Sequence, residues 1–189
     1  MTFSFHLLLT TTGKDYLFDI LVQLKKQLQA QDYLTIVFDG PDLPNVEEVK
    51  IFTRGFKCTV NVVVEPENLG YWGHAIRNKH KNLVGDFVFH IDDDDLLAED
   101  CMDSLRTYCV DKSKMYIFRM DNYGDILWKT HSITFCQIST QMGIIPTHMN
   151  DMSHFEYYYG GDYNFYKILE SQNVPIEYVD KVTYIKRRL

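Results

Sequence analysis

The chain has 189 residues, 46% of them hydrophobic, which is enough for one domain with a sizeable core. Its net charge of −7, with no basic stripe before the terminal Lys186-Arg187-Arg188, argues against a nucleic-acid partner. Four cysteines without a CxxC pair or zinc spacing read as reduced thiols of a cytoplasmic protein, and the apolar start, Phe3 to Leu9, is too short for a membrane span and lacks a basic leader.

Phe3 to Thr10 predicts a first strand, ended by the polar turn Thr10-Thr11-Thr12-Gly13. Leu17, Ile20, Leu21, Leu24 and Leu28 then recur at helical spacing. Tyr33 to Phe38 predicts a second strand, closed by Asp39-Gly40-Pro41-Asp42. A short helix over Val46 to Phe52 leads to a third strand, Thr59 to Val64. After the glycine-punctuated loop Pro66 to Gly73, a basic helix is expected over Ala75 to Leu83. Phe87 to Ile91 is β-branched and aromatic without polar alternation, so it predicts a strand buried on both faces. The order β-α-β-α-β-α-β predicts a parallel sheet with right-handed crossovers.

The second half reads differently. A helix is expected over Leu96 to Cys109, then short strands over Met115 to Met120, Ile126 to Lys129 and Ser132 to Ser139. A helix over Asp162 to Gln172 and a last strand, Ile176 to Ile185, complete the chain. The expected fold class is α/β, with a mainly parallel central sheet and a smaller mixed second half. One domain, 1–189, would hold a nucleotide in about 1–95 and a second substrate in about 96–189.

The buried strand runs straight into Asp92-Asp93-Asp94-Asp95. Adjacent carboxylates repel one another, so a cation is required among them. A hard divalent cation suits oxygen ligands, and Mg²⁺ or Mn²⁺ adds substrate phosphates to one or two carboxylates. Ligands in open α/β sheets bind beyond the carboxyl ends of strands, where these acids lie. The cluster therefore reads as a metal-assisted phosphate site. Asp95 as an N-cap, with Glu99 and Asp100 complementing a helix dipole, accounts for one or two of the acids but not for four. A helix-loop-helix calcium loop starting at Asp92 would put Leu97 at its glycine position and Asp103 at its terminal glutamate position. Alternate side chains of an extended segment share a side, so Asp92 acts with Asp94, or Asp93 with Asp95; the first pair is favoured.

The ordered set of Thr-rich turn, Asp39-Gly40, Glu67-Asn68-Leu69-Gly70, Arg77-Asn78, the four acids and Gly160-Gly161-Asp162-Tyr163-Asn164 spans nearly the whole chain. It resembles glycosyltransferases of the GT-A fold, a Rossmann-like three-layer sandwich. The resemblance is strongest to the large inverting family of cellulose, chitin and bacterial polysaccharide synthases, with sugar transferases of large algal viruses as expected kin. It implies a nucleoside-diphosphate sugar donor, a UDP-sugar, a saccharide acceptor and Mn²⁺ or Mg²⁺ held at a DXD motif. Asp92 would approach the ribose and Asp94 the metal, with Asp92 and Asp95 as further metal candidates and Asp93 on the donor side. Asp39 would meet the uracil or ribose, and Thr10, Thr11 and Thr12 would line the base pocket. Arg77 and Lys186 would share the charge of the diphosphate.

Asp162 would be the general base toward the acceptor hydroxyl, with Asp151 and Glu156 next in line; without the resemblance it reads as an N-cap. Tyr157, Tyr158, Tyr159 and Trp128 are candidates for an aromatic floor under an acceptor sugar. His131, His148 and His154 read as structural or solvent-facing. Three departures from the family stand out. The loop between Asn68 and Arg77 is about two residues longer, Gly161 replaces the common Glu, and the chain stops at Leu189, as one domain of a longer polypeptide would. Two rivals follow: a binding module that holds a nucleotide or calcium without chemistry, and a phosphatase of the haloacid-dehalogenase type. In the latter the Asp-x-Asp motif opens the sheet and runs into Gly-Thr, whereas here three strands precede it and Leu96 follows.

Overall fold

The first half alternates as its pattern predicts: β1 (Phe5–Thr11), α1 (Leu17–Gln27), β2 (Tyr33–Phe38), α2 (Val46–Thr53), β3 (Thr59–Val64), α3 (His74–Lys79) and β4 (Phe87–Asp92). The computed structural model describes residues 3–187, so the end of the basic terminus at Arg188 lies outside the described residues. β1 pairs in parallel with both β2 and β4, and β2 with β3. Along β1 the side chains alternate between two layers. Phe5, Leu7 and Leu9 meet Leu17, Ile20, Leu21 and Leu24 of α1, whereas Leu8, with Val37 of β2, turns to Ile76 of α3. Each buried aliphatic contributes roughly 1.5–3 kcal/mol. The apolar face of α1 thus outweighs its weak start, where Tyr16 offers no side-chain cap, a lack that costs about 1 kcal/mol.

The second half comprises β5 (Leu96–Leu97), α4 (Cys101–Tyr108), β6 (Met115–Asn122), β7 (Asp125–Leu127), β8 (Gly143–Pro146), α5 (Thr147–Asn150), α6 (Gly161–Ser171) and β9 (Ile176–Ile185). The nine strands form one sheet in the order β3-β2-β1-β4-β8-β6-β9-β5, with β7 on β6. It changes direction beside the acid strand, where β8 runs antiparallel to both β4 and β6. β9 then lies parallel to β6 and brings the chain back to the acids. No helix among the described residues is long and apolar enough to cross a membrane.

Four expectations need correction. The helix expected from Leu96 begins only at Cys101, because Leu96 and Leu97 pair instead with Ile185 and Tyr184 and bury Leu97 in the sheet core. Asp95 is therefore no N-cap; Asp100 occupies that position without a side-chain cap bond. The strand expected over Ser132 to Ser139 does not form, since Thr130, Ser132 and Thr134 hydrogen-bond one another and Cys136 takes φ 61°. The helix expected to Leu83 ends at Lys79, where His80 leaves helical geometry and its ring reaches Glu65.

His90 of β4 is 1% exposed, with Nε2 3.0 Å from Asn150 Oδ1 and ring edges toward Phe155 and Phe165. Burial, reinforced by the charge of Arg77, lowers its pKa to about 3. The unfolded chain takes up this proton below about pH 6.5 and the folded chain does not, so stability falls on acidification from there toward the folded value. Urea unfolding free energies of the wild type should lose up to about 1.4 kcal/mol more per pH unit in that window than those of His90→Gln. Equal slopes would show that His90 is protonated in the native state.

Candidate active site

Asp92 ends β4, and its carboxylate is held from three sides. The Arg77 guanidinium and the Thr10 hydroxyl (3.3 Å) donate to one oxygen, and the Gln141 side-chain amide donates to the other. Arg77 is a buried cation with a side-chain exposure of 0%, against 27% for Asp92. It also donates to Thr10 Oγ1 at 3.2 Å and to the Trp72 carbonyl at 2.9 Å. Gln141 sits in a 3₁₀ turn, Thr140–Met142, where Ser139 Oγ donates to its Oε1 at 2.6 Å. Arg77 lies beneath the cleft floor and lines neither of the clefts described below. The resemblance gave it the diphosphate; its contacts here are with Asp92, Thr10 and Trp72.

Beyond Asp92 the chain bends, yet burial still alternates: Asp93 and Asp95 point inward and Asp92 and Asp94 stay half-open. Asp93 accepts the Thr11 hydroxyl and Asp95 accepts the Arg187 backbone N–H at 3.0 Å. Burial, helped by neighbouring aspartates, raises both to about pKa 6. Burial and the Asp92 charge also raise Asp94, against a pull from Lys186 and Lys14. Of the four acids only Asp92 has a direct ion pair among the described residues. No set of three acids, histidines or cysteines among those residues converges to hold a metal alone. The donor set nevertheless fits a hard dication. Two half-open carboxylates lie in a cluster with excess negative charge, and phosphate and water would complete the shell.

Two clefts meet here. One, of about 510 Å³, lies beyond the carboxyl ends of β1, β2 and β4 and is lined by Thr10, Thr11, Thr12, Asp39, Asn68 and the four acids. The other, of about 360 Å³, is lined by His74, Phe135, Tyr159, Asp162 and Tyr163 among others. Trp72, Asp92, Ser139 and Lys186 line both. Thr12 is exposed, while Thr10 and Thr11 are buried against Asp92 and Asp93. Asp39 reaches the first cleft, but its oxygens accept the Leu69 and Gly70 backbone N–H groups at 2.6 and 3.0 Å. It thereby fixes the loop that follows β3. Lys186 is exposed just after β9, its backbone N–H bonded to the Asp121 carbonyl at 2.8 Å.

Asp162 is the second residue of α6 and opens on the second cleft. Its Oδ1 accepts the Tyr163 N–H at 2.8 Å, and burial raises its pKa. The preceding Gly161 has no room for a side chain: a Cβ would lie 2.2 Å from the Glu156 carbonyl and 2.8 Å from the His74 ring. His74 in turn points Nδ1 at that carbonyl, 2.9 Å away. The Glu156 carbonyl and the His74 ring together leave no room for the Glu that the resemblance expects at position 161. Asp151 and Glu156 line neither cleft.

Trp128 does not belong to an aromatic floor. It is 2% exposed, under the Arg119 guanidinium (4.5 Å to the ring centre) and edge-on to Tyr178. Tyr157, Tyr158 and Tyr159 are exposed, as are His131, His148 and His154. Sequence reasoning missed Trp72, Ser139 and Gln141. Tyr71 and Trp72 both adopt left-handed backbone, φ 56° and 52°, between Gly70 and Gly73 at φ 70° and 78°. For bulky residues this costs roughly 1–3 kcal/mol each. Gly73 is obligatory by space as well, since a Cβ there would lie 2.5 Å from Thr10 Oγ1. The available signal was the Gly-x-x-Gly bracket in the lengthened loop.

No family model matches the sequence, and no curated protein matches it. Solved structures do. S. aureus TarS 1–349 superposes with a TM-score of 0.75 at 17% identity, over 97% of this chain and 60% of that one. The same fragment in complex with UDP-GlcNAc gives 0.73 at 17% identity, over 98% and 59%. The mannosyltransferase PcManGT from Pyrobaculum calidifontis, in complex with GDP-Man and Mn²⁺, gives 0.72 at 12% identity, over 98% and 57%. The chain has the GT-A glycosyltransferase fold and spans about three fifths of the length of these neighbours.

The Arg77–Asp92 pair yields a test. Arg77→Met leaves Asp92 unpaired beside three other carboxylates, at an expected cost of about 2–3 kcal/mol, low for a broken buried pair because Asp92 is part-exposed. Adding Asp92→Asn should recover most of that loss. Urea denaturation of the single and double variants measures both effects, and an undiminished Arg77→Met would show that the pair does not hold the cluster.

Proposed function

We propose that the chain is a metal-dependent, inverting glycosyltransferase that moves a sugar from a UDP-sugar to a saccharide hydroxyl. One observation carries the reading: an acid-rich cleft and a cleft holding a half-buried carboxylate, Asp162, whose pKa is raised by desolvation, share a wall at Asp92. The neighbours lend support, one holding UDP-GlcNAc and another GDP-Man with Mn²⁺. Because the chain covers only part of those proteins, its activity, substrates and partners are read from its own residues.

The donor would occupy the first cleft, its base toward Thr12 and the loop that Asp39 holds, its diphosphate toward the acids. Asp94 with Asp92 is the metal pair that the alternating burial favours, whereas Asp93 and Asp95 turn inward to the Thr11 hydroxyl and the Arg187 N–H. Mn²⁺ or Mg²⁺ bound there supplies positive charge against that growing on the leaving diphosphate. Lys186, exposed on the shared wall, adds a second positive group. In the second cleft Asp162 would accept a hydrogen bond from the acceptor hydroxyl. The hydroxyl oxygen attacks the anomeric carbon opposite the diphosphate, and its proton passes to Asp162. The bond from that carbon to the phosphate oxygen breaks, and the nucleoside diphosphate leaves with the electron pair. A single displacement inverts the anomeric configuration. Four unpaired thiols support the cytoplasmic setting.

A thermal-shift panel of nucleotide sugars with and without Mn²⁺ tests the donor site, because a ligand of the folded state raises the midpoint. A UDP-sugar should stabilise the wild type only with metal and should leave Asp94→Ala unshifted. Equal stabilisation without metal, or an Asp94→Ala protein that responds normally, would contradict the assignment. Asp162→Asn tests the base. It keeps the shape but cannot take the proton, so kcat should fall about 10²–10⁴-fold while UDP-sugar affinity holds. Normal turnover would move the base elsewhere.

A further inference from the structure

The left-handed turn at Tyr71-Trp72 has a use that the reaction above leaves open. Both side chains stand in solvent, 50% and 66% exposed, and both have a partner across the cleft mouth. Tyr71 stacks on Tyr157, ring centres 4.8 Å apart and planes at 17°, while Trp72 meets Tyr159 edge-on at 6.4 Å. Tyr157 and Tyr159 are themselves 51% and 75% exposed. Large aromatics grouped in solvent mark a binding surface, and strained backbone that persists is held in place by its surroundings. Here Arg77 binds the Trp72 carbonyl and the bracketing glycines permit the turn. The same buried cation therefore holds both Asp92 and the backbone of Trp72.

We infer that Trp72, with Tyr159 beside it and the Tyr71–Tyr157 pair as buttress, is the stacking platform for a sugar ring of the acceptor. The platform decides that the acceptor is a saccharide presented by the apolar face of its ring. The assignment rests on the reading that Asp162 faces the acceptor. A pyranose has C–H bonds on one face and hydroxyls around its edge, so it needs a flat π surface with polar groups at the rim. Trp72 and Tyr159 line the second cleft together with Ser139, Lys186 and Asp162, which supply that rim. Trp72 also lines the donor cleft, so a ring stacked on it lies where the two clefts meet. An anionic lipid surface fits poorly, because the neighbouring acids and the net charge of −7 would repel it.

Fluorescently labelled protein on a broad glycan array, with UDP and Mn²⁺ present, tests the platform. The wild type should retain a defined set of oligosaccharides. Trp72→Ala should weaken a retained glycan about tenfold or more, Tyr159→Ala should weaken the same glycan, and Trp72→Phe should keep most of the binding. Affinity for UDP, read by calorimetry, should be the same in Tyr159→Ala as in the wild type, which separates the platform from the donor site because Tyr159 lines the second cleft and not the first. Trp72 and Tyr159 project into solvent, so both alanine variants should fold, as circular dichroism will show. Iodide quenching gives a second readout: of the two tryptophans Trp128 is buried, so a retained oligosaccharide should shield Trp72. The inference is overturned if the wild type retains no glycan. It is equally overturned if Trp72→Ala retains the same glycans undiminished, if Tyr159→Ala abolishes UDP affinity, or if Trp72→Ala loses binding to phosphatidylglycerol vesicles instead. Glycan retention that depends on Trp72 in a protein that ignores UDP would keep the platform and refute the donor reading.

Discussion

The ion pair between Arg77 and Asp92 is the interaction on which the rest of the site depends. A strand buried on both faces ends in four consecutive carboxylates, and the fold neutralises one of them directly. It does so with a cation brought from α3, fully buried beneath the cleft. The arrangement fixes the direction of Asp92, anchors the carbonyl of Trp72 and leaves Asp94 half-open with its charge opposed mainly from a distance. Burial and mutual repulsion raise the carboxyls of Asp93 and Asp95 to about pKa 6. A cluster in this condition gains from a dication, and more so when a diphosphate completes the coordination.

Two departures from the family pattern have a common origin on α3 and the loop before it. The Glu156 carbonyl, to which His74 at the start of α3 points its ring, and the His74 ring itself leave no space for a side chain at Gly161. Immediately before His74, the lengthened loop turns left-handed and lifts Tyr71 and Trp72 over the clefts. Arg77, on the same short segment, binds both the Trp72 carbonyl and Asp92, so the loop and the acids are held by one side chain.

The half of the fold built from β1 to β4 was legible because its elements are long and each has a plain signal. Leu17, Ile20, Leu21 and Leu24 carry a helical period, and Phe87 to Ile91 carries an uninterrupted apolar run. The acids were legible as a cluster because like charges in sequence demand an explanation. β8 was not, since four residues ending in Pro146 carry no period at all. β5 was hidden because Leu96-Leu97 reads equally well as the start of a helix, and only its pairing with β9 decides the matter. The burial of Arg77 and the role of Gln141 depend on tertiary contacts across 15 and 49 positions, which no local pattern reports. Trp128 was expected in an aromatic floor for the same reason: composition marks an aromatic, and packing alone shows that Trp128 is buried and Trp72 exposed.

The central claim is that a divalent metal binds among Asp92 to Asp95 together with the donor diphosphate. Anomalous diffraction at the manganese edge, from crystals grown with Mn²⁺ and UDP, tests it most directly. The account predicts one peak, in contact with Asp94 and a phosphate oxygen, that vanishes from crystals grown with UDP and a chelator. A peak remote from the four acids, or UDP bound unchanged without any metal peak, would contradict it.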